Sequence, residues 1–448
     1  MSTLEPGVRV HIVGIGGAGM SGLARLLSEM GCVVSGSDAL ESSTTDELRV
    51  AGVEVHAGHR ADNVGTADLV LWSPAVAPDN VEFLAARERG LTMMDRAQAL
   101  ATLGERQRVI GFTGTHGKTT ATSMMVHVLR AAGRDDSRLV GAPVIGVGAN
   151  GHWGLGDLVM EVDESYGTFS LLSPFALGLL NIEPDHLDHY GTPAALEEAF
   201  SALVARTSGP VVAWVDDEGV RRSVAATSRE VVSVASKREA RWRVRDSQLA
   251  RRSASFELVG PVGQLTVALA VTGAHNIANA AVAAVVALEL GVGPDAVVQG
   301  LGRFRGAPRR FEYLGRWRDA DVYEDYAHLP GEITATLAGA RAAGYQRITA
   351  VFQPHRVTRT ERLAPSFARA FDDAQYVVVT DIYSAGESNP RGVTGALIAD
   401  AVGPRCVYAA SFEDVLGALN LIEDSDAVLL LGAGDVGTLA HRLPGGLG

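Results

Sequence analysis

Short apolar runs alternate with stretches of helical spacing along most of the chain. Residues 8–13, 109–113 and 176–182 are apolar-rich, and a Gly-rich or polar turn follows each of them. Runs of this length, separated by amphipathic segments of about 10–15 residues, predict βαβ units and parallel sheets. We therefore expect an α/β fold class with three domains, each a mostly parallel doubly wound sheet.

Two junctions divide this pattern. The chain has 448 residues, which is too long for a single hydrophobic core. A polar segment at 105–107 and a Gly-Ala-Pro turn at 306–308 interrupt the alternation. We predict domains at 1–106, 107–307 and 308–448. In the last domain the pattern predicts strands at 322–325, 348–352, 376–380 and 428–431, and helices at 333–343 and 363–371. Residues 221–265 are polar and Arg-rich, and we expect them to form strands of a lid or rim.

Composition narrows the classes of function. The chain is 47% hydrophobic and 20% charged, as expected for a globular protein. Its net charge of −13 argues against a general nucleic-acid partner. Two cysteines cannot build a disulfide framework, and no apolar run approaches the length of a membrane span. We expect a cytoplasmic protein without a membrane partner.

A glycine loop at 114–120 is the strongest sign of chemistry. The apolar run at 109–113 enters Gly-Thr-His-Gly-Lys-Thr-Thr, and a helical pattern follows over 121–129. Such a loop brings backbone N–H groups to phosphate oxygens, Lys118 reaches the β- and γ-phosphates, and Thr119 binds Mg²⁺. The spacing departs from the usual P-loop, since Phe112 stands where a glycine is expected. The alternative is a Gly-rich turn with a solvated lysine, but the chain has only two lysines.

A second glycine loop lies near the start of the chain. Residues 14–19 read Gly-Ile-Gly-Gly-Ala-Gly between a strand and a predicted helix at 21–30, and Asp38 ends the next strand. This is the dinucleotide fingerprint, so taken alone it predicts an NAD site. Any βαβ unit that holds a diphosphate has the same needs. Asp38 either binds a ribose hydroxyl or serves as a helix cap or turn residue.

Carboxylates and histidines follow two strands of the predicted central domain. Glu161 is the first of three acidic residues after an apolar run, and 181–191 is a loop dense in Asp and His. Oxygen donors suit Mg²⁺, whereas the alternative for the acidic run is a solvated loop. The spacing is not that of a structural zinc site. By chemistry alone, His186 and His189 are equal candidates.

Two further pairs have helical spacing. Asn276 and Asn279 lie at i and i+3 and can read an adenine edge, although either can instead cap the helix. Arg356 and Arg359 can grip a carboxylate as a pair, or form ordinary surface salt bridges.

Six ordered motifs resemble one family across almost the whole chain. They are His-Ile-Val-Gly-Ile-Gly-Gly-Ala-Gly-Met-Ser-Gly, Gly-Thr-His-Gly-Lys-Thr-Thr, Asn-Ile-Glu-Pro-Asp-His-Leu-Asp, Arg-Arg-Phe-Glu, Phe-Gln-Pro-His-Arg-Val-Thr-Arg-Thr and Tyr-Ser-Ala-Gly-Glu. The chain resembles the Mur ligases, in particular the branch that adds the first amino acid. The resemblance implies an ATP-dependent, ADP-forming ligase of peptidoglycan precursor synthesis that joins L-alanine to UDP-N-acetylmuramate through an acyl phosphate.

The resemblance also implies roles at matching positions. UDP-sugar binding falls to Gly16, Gly17, Ala18, Gly19, Met20, Asp38 and Ser73. ATP binding falls to Gly114, Thr115, Gly117, Lys118, Thr119, Thr120, Asn276, Asn279 and Asp325. The amino acid meets Tyr326, His328, His355, Arg356 and Arg359. The cofactor Mg²⁺, with Mn²⁺ as an alternative, is held by Thr119, Glu161 and His186. The resemblance assigns catalysis to Lys118, His186 and Arg310. We expect the protein to be a monomer or a weak homodimer.

The chain departs from the family pattern beside the predicted amino-acid site. Leu329 replaces a second histidine, and Gly331 replaces a threonine. A specialised relative that uses another amine or carboxylate, including one that recycles a tripeptide, is therefore an alternative. An NAD-dependent oxidoreductase and a non-catalytic nucleotide sensor are alternatives of other classes.

Overall fold

A computed structural model of the chain describes residues 4–73, 75–422 and 424–448. Within these residues the strands form sheets of five, ten and six members. Parallel pairing predominates, so the predicted three-domain α/β fold class is confirmed. None of the helices in the described part is long and apolar enough to cross a membrane.

The first sheet surrounds the strand that precedes the first glycine loop. Its elements are β1 (Arg9–Val13), α1 (Ala18–Glu29), β2 (Val33–Asp38), α2 (Ser43–Val50), β3 (Glu54–Ala57), β4 (Leu69–Trp72), α3 (Val81–Glu88), β5 (Thr92–Asp95) and α4 (Arg96–Gly104). The strand order is β3-β2-β1-β4-β5, and the adjacent pairs are parallel. Because β1 lies between β2 and β4, its loop opens where the strand order reverses, which is where α/β sheets bind ligands.

The second sheet contains the Lys118 loop. Its elements are β6 (Val109–Thr113), α5 (Lys118–Ala131), β7 (Ser137–Leu139), β8 (Gly151–His152), β9 (Leu158–Glu161), β10 (Ala176–Leu179), α6 (Leu187–Tyr190), α7 (Pro193–Arg206), β11 (Val211–Trp214), α8 (Glu218–Ala225), β12 (Val232–Ala235), β13 (Trp242–Ala250), β14 (Ser253–Gly260), β15 (Gly263–Leu269), α9 (Ala274–Glu289) and α10 (Pro294–Arg303). The order is β15-β14-β13-β12-β11-β10-β6-β9-β7-β8. Most of the polar stretch 221–265 therefore extends one edge of this sheet.

The third sheet follows the predicted junction at 306–308. Its elements are β16 (Glu312–Trp317), β17 (Ala320–Asp325), α11 (Pro330–Ala342), β18 (Ile348–Phe352), α12 (Val357–Leu363), β19 (Tyr376–Val379), α13 (Ala396–Val402), β20 (Cys406–Tyr408), α14 (Phe412–Asn420) and β21 (Ala427–Leu431). The order is β16-β17-β21-β18-β19-β20, and only β16 is antiparallel to its neighbour among the pairs described. The helix that the pattern predicts over 363–371 is wrong. The α-helix ends at Leu363 and a 3-10 helix follows over Ala364–Arg369, because Pro365 lacks the N–H that a continuous helix needs.

The contacts group the chain into two compact units. The first comprises the chain up to Ser247 with Ser255–Leu269 and His275–Arg305, and the second comprises Gln248–Ala254, Ala270–Ala274 and Gly306–Gly448. In the first unit, α5 is buried along most of its length, from Ala121 to Leu129. The helix behind the Lys118 loop is therefore fixed by packing on both sides, which is a suitable support for a binding loop.

Candidate functional site

Three polar segments meet in the first unit because of the strand order. β6 lies between β9 and β10 and pairs in parallel with both. Parallel strands end at the same edge of a sheet, so the segments that follow these three strands lie together. They supply Lys118, Glu161 and His186.

The Lys118 loop has a backbone path that needs glycine at two positions. Gly117 has φ +86° and precedes α5, and a Cβ there would lie 2.5 Å from Oδ1 of Asn279. Gly114 has φ +140°, and a Cβ there would lie 2.7 Å from the carbonyl oxygen of Asn181. Loop N–H groups and the start of a 14-residue helix together form a cradle that suits phosphate. Thr115, Thr119 and Thr120 are half-buried beside it.

Asn181, which the sequence analysis did not select, fixes the tip of this loop. Its Oδ1 accepts from the N–H of His116 at 2.7 Å, and its Nδ2 donates to the carbonyl of His116 at 2.9 Å. The hydroxyl of Thr115 likewise accepts from the N–H of Glu183 at 2.9 Å. The loop is therefore held by the segment after β10.

Lys118 is paired with a carboxylate that the sequence analysis also missed. Its Nζ donates to Oε1 and Oε2 of Glu164 at 2.9 and 2.8 Å, and to the carbonyl of Gly114 at 2.8 Å. Asp163 lies 3.8 Å away. Burial raises the pKa of Glu164, and the ion pair with Lys118 opposes that shift.

Thr119 in α5 and Glu161 at the end of β9 provide oxygen donors of the kind that a divalent cation prefers. The hydroxyl of Thr119 hydrogen-bonds to Glu161, whose Oε1 also accepts from the N–H of Gly141 at 2.5 Å. Burial raises the pKa of Glu161. Burial acts in the same direction on Asp163, but Lys118 and a hydrogen bond from Ser165 outweigh it and hold that pKa below its usual range. No group of three His, Cys, Asp or Glu side chains assembles as a ready metal site in the described part of the chain.

The two candidate histidines have different surroundings. Nε2 of His186 lies 3.8 Å from Oε1 of Glu164, and the residue itself has a left-handed backbone with φ +51°. The ring of His189 packs edge-on against Tyr190, and its Nε2 lies 3.0 Å from where a Cβ on Gly167 would be. Of the two, His186 is the one in contact with the Lys118 pair.

A cavity of about 300 Å³ lies beside the loop. Its lining is mostly polar and comprises Leu180, Asn181, Trp214, Asp216, Asp217, Lys237, His275, Ala278 and Asn279. Asn279 therefore faces both this cavity and Gly117. Asn276 is buried on the same helix but does not line the cavity.

The first glycine loop has its own polar neighbours. Oδ2 of Asp38 accepts from the N–H of Gly16 at 2.8 Å, so Asp38 fastens the loop whatever else it binds. Gly17, Ala18, Gly19 and Met20 lead into α1, and the Cβ of Ser73 lies 3.5 Å from a Cβ placed on Gly14. The guanidinium of Arg96 covers Gly19, with Cζ 2.7 Å from where its Cβ would be.

Arg96 is a third residue that the sequence analysis missed. Its Nε is buried without a hydrogen-bond partner among the described residues, and its Nη1 lies 3.8 Å from Oδ2 of Asp163. A signal was available, because Arg96 directly follows β5 of the sheet that carries the first loop. A cation at the N-terminus of α1 suits an anionic ligand there.

The second unit brings together the residues that the sequence predicts for the amino acid. The rings of His328 and His355 lie 5.8 Å apart, and Tyr326 lies 5.3 Å from His328. Nη1 of Arg359 lies 3.3 Å from Nδ1 of His355. Burial, with Arg359 next, lowers the pKa of His355 to about 4, so its imidazole is neutral at pH 7. Arg356 precedes α12, one helical turn before Arg359.

Other polar groups order this region. Asp325 accepts from the N–H groups of Phe311 and Ala327, both at 2.8 Å, and its burial raises its pKa. The guanidinium of Arg310 lies 5.4 Å from the centre of the Tyr326 ring. Leu329 is half-buried directly before α11, in the same segment as His328.

Models of one family match three successive parts of the chain. The Mur ligase family catalytic domain matches residues 9–108, the Mur ligase middle domain matches 112–287, and the Mur ligase glutamate ligase domain matches 309–434. The three matches together contain both glycine loops and the histidine and arginine cluster.

Individual proteins match over nearly the whole length. UDP-N-acetylmuramate–L-alanine ligase of Thermobifida fusca is 41% identical, with 98% of this chain and 97% of that protein covered. The protein of that name from Kineococcus radiotolerans is 43% identical, with coverage of 97% and 95%. The crystal structure of UDP-N-acetylmuramate-alanine ligase from Thermotoga maritima superposes with a TM-score of 0.83 at 30% identity, covering 97% of this chain and 98% of that one. This chain belongs to the Mur ligase family.

Proposed function

We propose that this Mur ligase joins L-alanine to the lactyl carboxylate of UDP-N-acetylmuramate in peptidoglycan precursor synthesis, converting ATP to ADP and phosphate. The observation that carries the proposal is the approach of the segments that follow β6, β9 and β10, where Lys118 pairs with Glu164 and His186 lies 3.8 Å from the same carboxylate. The names of the 41–43% identical relatives support the choice of substrates.

The reaction needs an activated carboxylate, because a carboxylate is a poor electrophile. The loop from Gly114 to Thr120 binds the phosphates of ATP through its N–H groups, and Lys118 stabilises the charge that develops on the transferred phosphoryl group. The acyl phosphate then receives the amine of L-alanine, and phosphate leaves. Mg²⁺, or Mn²⁺, would be held by Thr119, Glu161 and His186 and would neutralise phosphate charge when bound.

The remaining assignments follow the local chemistry of each unit. The N–H groups of the loop from Gly16 to Met20 suit the UDP diphosphate, and the cavity beside Asn279 suits the adenine. In the second unit, Arg356 and Arg359 suit the α-carboxylate of the amino acid. We retain one domain for each substrate, with boundaries at 1–106, 107–307 and 308–448.

The residues at positions 329 and 331 favour a second candidate for the amine acceptor. Leu329 presents an apolar side chain beside His328 where the family pattern has a histidine, and Gly331 is open, since a Cβ there would meet no atom within 4 Å. A drier, wider pocket favours an amino acid larger or more apolar than L-alanine.

Phosphate release in the presence of ATP, Mg²⁺ and UDP-N-acetylmuramate tests the proposal, with a panel of amino acids and tripeptide as acceptors. Mass spectrometry of the products identifies the acceptor. We expect release that requires both the UDP-sugar and L-alanine. Absence of release with every acceptor, together with NADH formation at 340 nm from an NAD-dependent reaction, would contradict it.

A further inference from the structure

The loop lysine is already engaged by a carboxylate. Nζ of Lys118 lies 2.8 and 2.9 Å from the two oxygens of Glu164, and the side chains are 15% and 1% exposed. Two charges this close and shielded from water attract each other more strongly than the partners of a surface ion pair do. Lys118 has three donors, and besides Glu164 its Nζ contacts the carbonyl of Gly114 at 2.8 Å and that of Thr115 at 3.4 Å.

Glu164 is held in this position by its own backbone. The hydroxyl of Tyr190 donates to the carbonyl of Glu164 at 2.6 Å, and the N–H of Gly167 donates to the same carbonyl at 3.1 Å. The carboxylate therefore approaches Lys118 from a fixed segment. Nε2 of His186 lies 3.8 Å from Oε1 of Glu164, and the charge of Asp163 also acts on this carboxylate.

Phosphate oxygens and Glu164 need the same donors. The ammonium of Lys118 cannot give its N–H groups to the β- and γ-phosphates while two of them remain on Glu164. We propose that Glu164 is a positioning residue that holds Lys118 and competes with nucleotide phosphate for it. The proposal rests on the nucleotide site of the proposed function, and it adds a device that sets nucleotide affinity.

The direction in which Glu164→Gln changes nucleotide affinity distinguishes competition for Lys118 from a metal-binding or purely structural role. If Glu164 competes for Lys118, the neutral variant Glu164→Gln should bind nucleotide more tightly. A role as a metal ligand, or a purely structural role, would make the same variant bind more weakly or leave it unchanged. Magnesium-free ADP in EDTA is therefore the appropriate probe, because it removes any contribution through a metal.

The experiment is calorimetric titration of the full chain with magnesium-free ADP. We expect Kd for Glu164→Gln to fall by roughly tenfold, which corresponds to ~1.4 kcal/mol. Glu198→Gln, an equal charge change at an exposed position of α7, should leave Kd unchanged. In a Lys118→Ala background, Glu164→Gln should change Kd by less than about twofold, since the competition for Lys118 is then absent.

Two results would overturn the proposal. One is an unchanged or higher Kd for folded Glu164→Gln. The other is a tightening that persists in the Lys118→Ala background, which would indicate direct repulsion between Glu164 and phosphate. Should Glu164→Gln not fold, Glu164→Asp, whose carboxylate is one methylene shorter, must also lower Kd. Because nucleotide binding is measured without turnover, absence of ligase activity in the wild type with these binding results would reject the proposed substrates alone.

Discussion

Gly117→Ala is the sharpest test of the nucleotide loop. The substitution adds a methyl group at φ +86°, 2.5 Å from Oδ1 and 2.9 Å from Nδ2 of Asn279. Gly133, just after the other end of α5, offers a matched control. It has φ +73°, and a Cβ there would meet no atom within 4 Å.

Both substitutions strain the backbone, but only the one at Gly117 also creates a steric clash. A left-handed alanine costs roughly 1–2 kcal/mol at either position. At Gly117 alone, the methyl group must displace Asn279 or the loop. A loop shift that loses one charge-assisted hydrogen bond to phosphate costs ~1.5–3 kcal/mol. We therefore expect Kd for ATP to rise by roughly ten- to a hundredfold, since ~1.4 kcal/mol is tenfold.

The assay is a calorimetric titration with ATP, which gives Kd. Thermal unfolding of each variant is measured in parallel. Gly133→Ala should lower the unfolding temperature while Kd stays within about twofold, a change below ~0.5 kcal/mol. Adding Asn279→Ala to Gly117→Ala should recover part of the lost stability, because the clash is then gone. Equal loss of ATP affinity in Gly117→Ala and Gly133→Ala would refute the reasoning, as would wild-type affinity in Gly117→Ala.

Four further outcomes are expected. Lys118→Ala should abolish substrate-dependent ADP formation, and a kcat above about a tenth of wild type would disprove the phosphate role. His186→Ala should raise the Mg²⁺ concentration for half activity whereas His189→Ala should not, so equal titrations would remove the assignment. Arg359→Ala should raise KM for the amino acid by roughly ten- to a hundredfold, because one charge-assisted hydrogen bond is lost. KM for ATP should stay unchanged, and a change in KM for ATP instead would contradict the assignment. Leu329→His should shift preference toward L-alanine in a competition among amino acids, and an unchanged ranking would reject the pocket argument.

Much of the fold was readable because its signals are local. Apolar runs of strand length predicted β1, β6 and β18 within one residue of their observed bounds, and a glycine loop follows the first two. Helix periodicity after each loop predicted α1 and α5, although α1 begins three residues earlier than expected, at Ala18. The helix over 363–371 was predicted wrongly, because apolar periodicity alone does not account for the missing N–H of Pro365.

The candidate site was readable only in part. Composition and spacing predicted the loop that carries Lys118. The charge of residues 161–164 predicted the acidic run at the end of β9. The sequence alone left His186 and His189 equal, and it did not select Glu164 or Arg96. Their partners lie in other segments, so no local pattern contains the information.

What the sequence by itself determined is therefore the set of elements and the type of chemistry at their ends. What only the tertiary structure decided is which of these groups touch. Lys118 and Glu164 are 46 positions apart, and they meet because β6 pairs with β9 on one side and β10 on the other. Strand order is set by long-range burial and hydrogen bonding across the whole sheet, and it brings the ends of distant segments within hydrogen-bond distance.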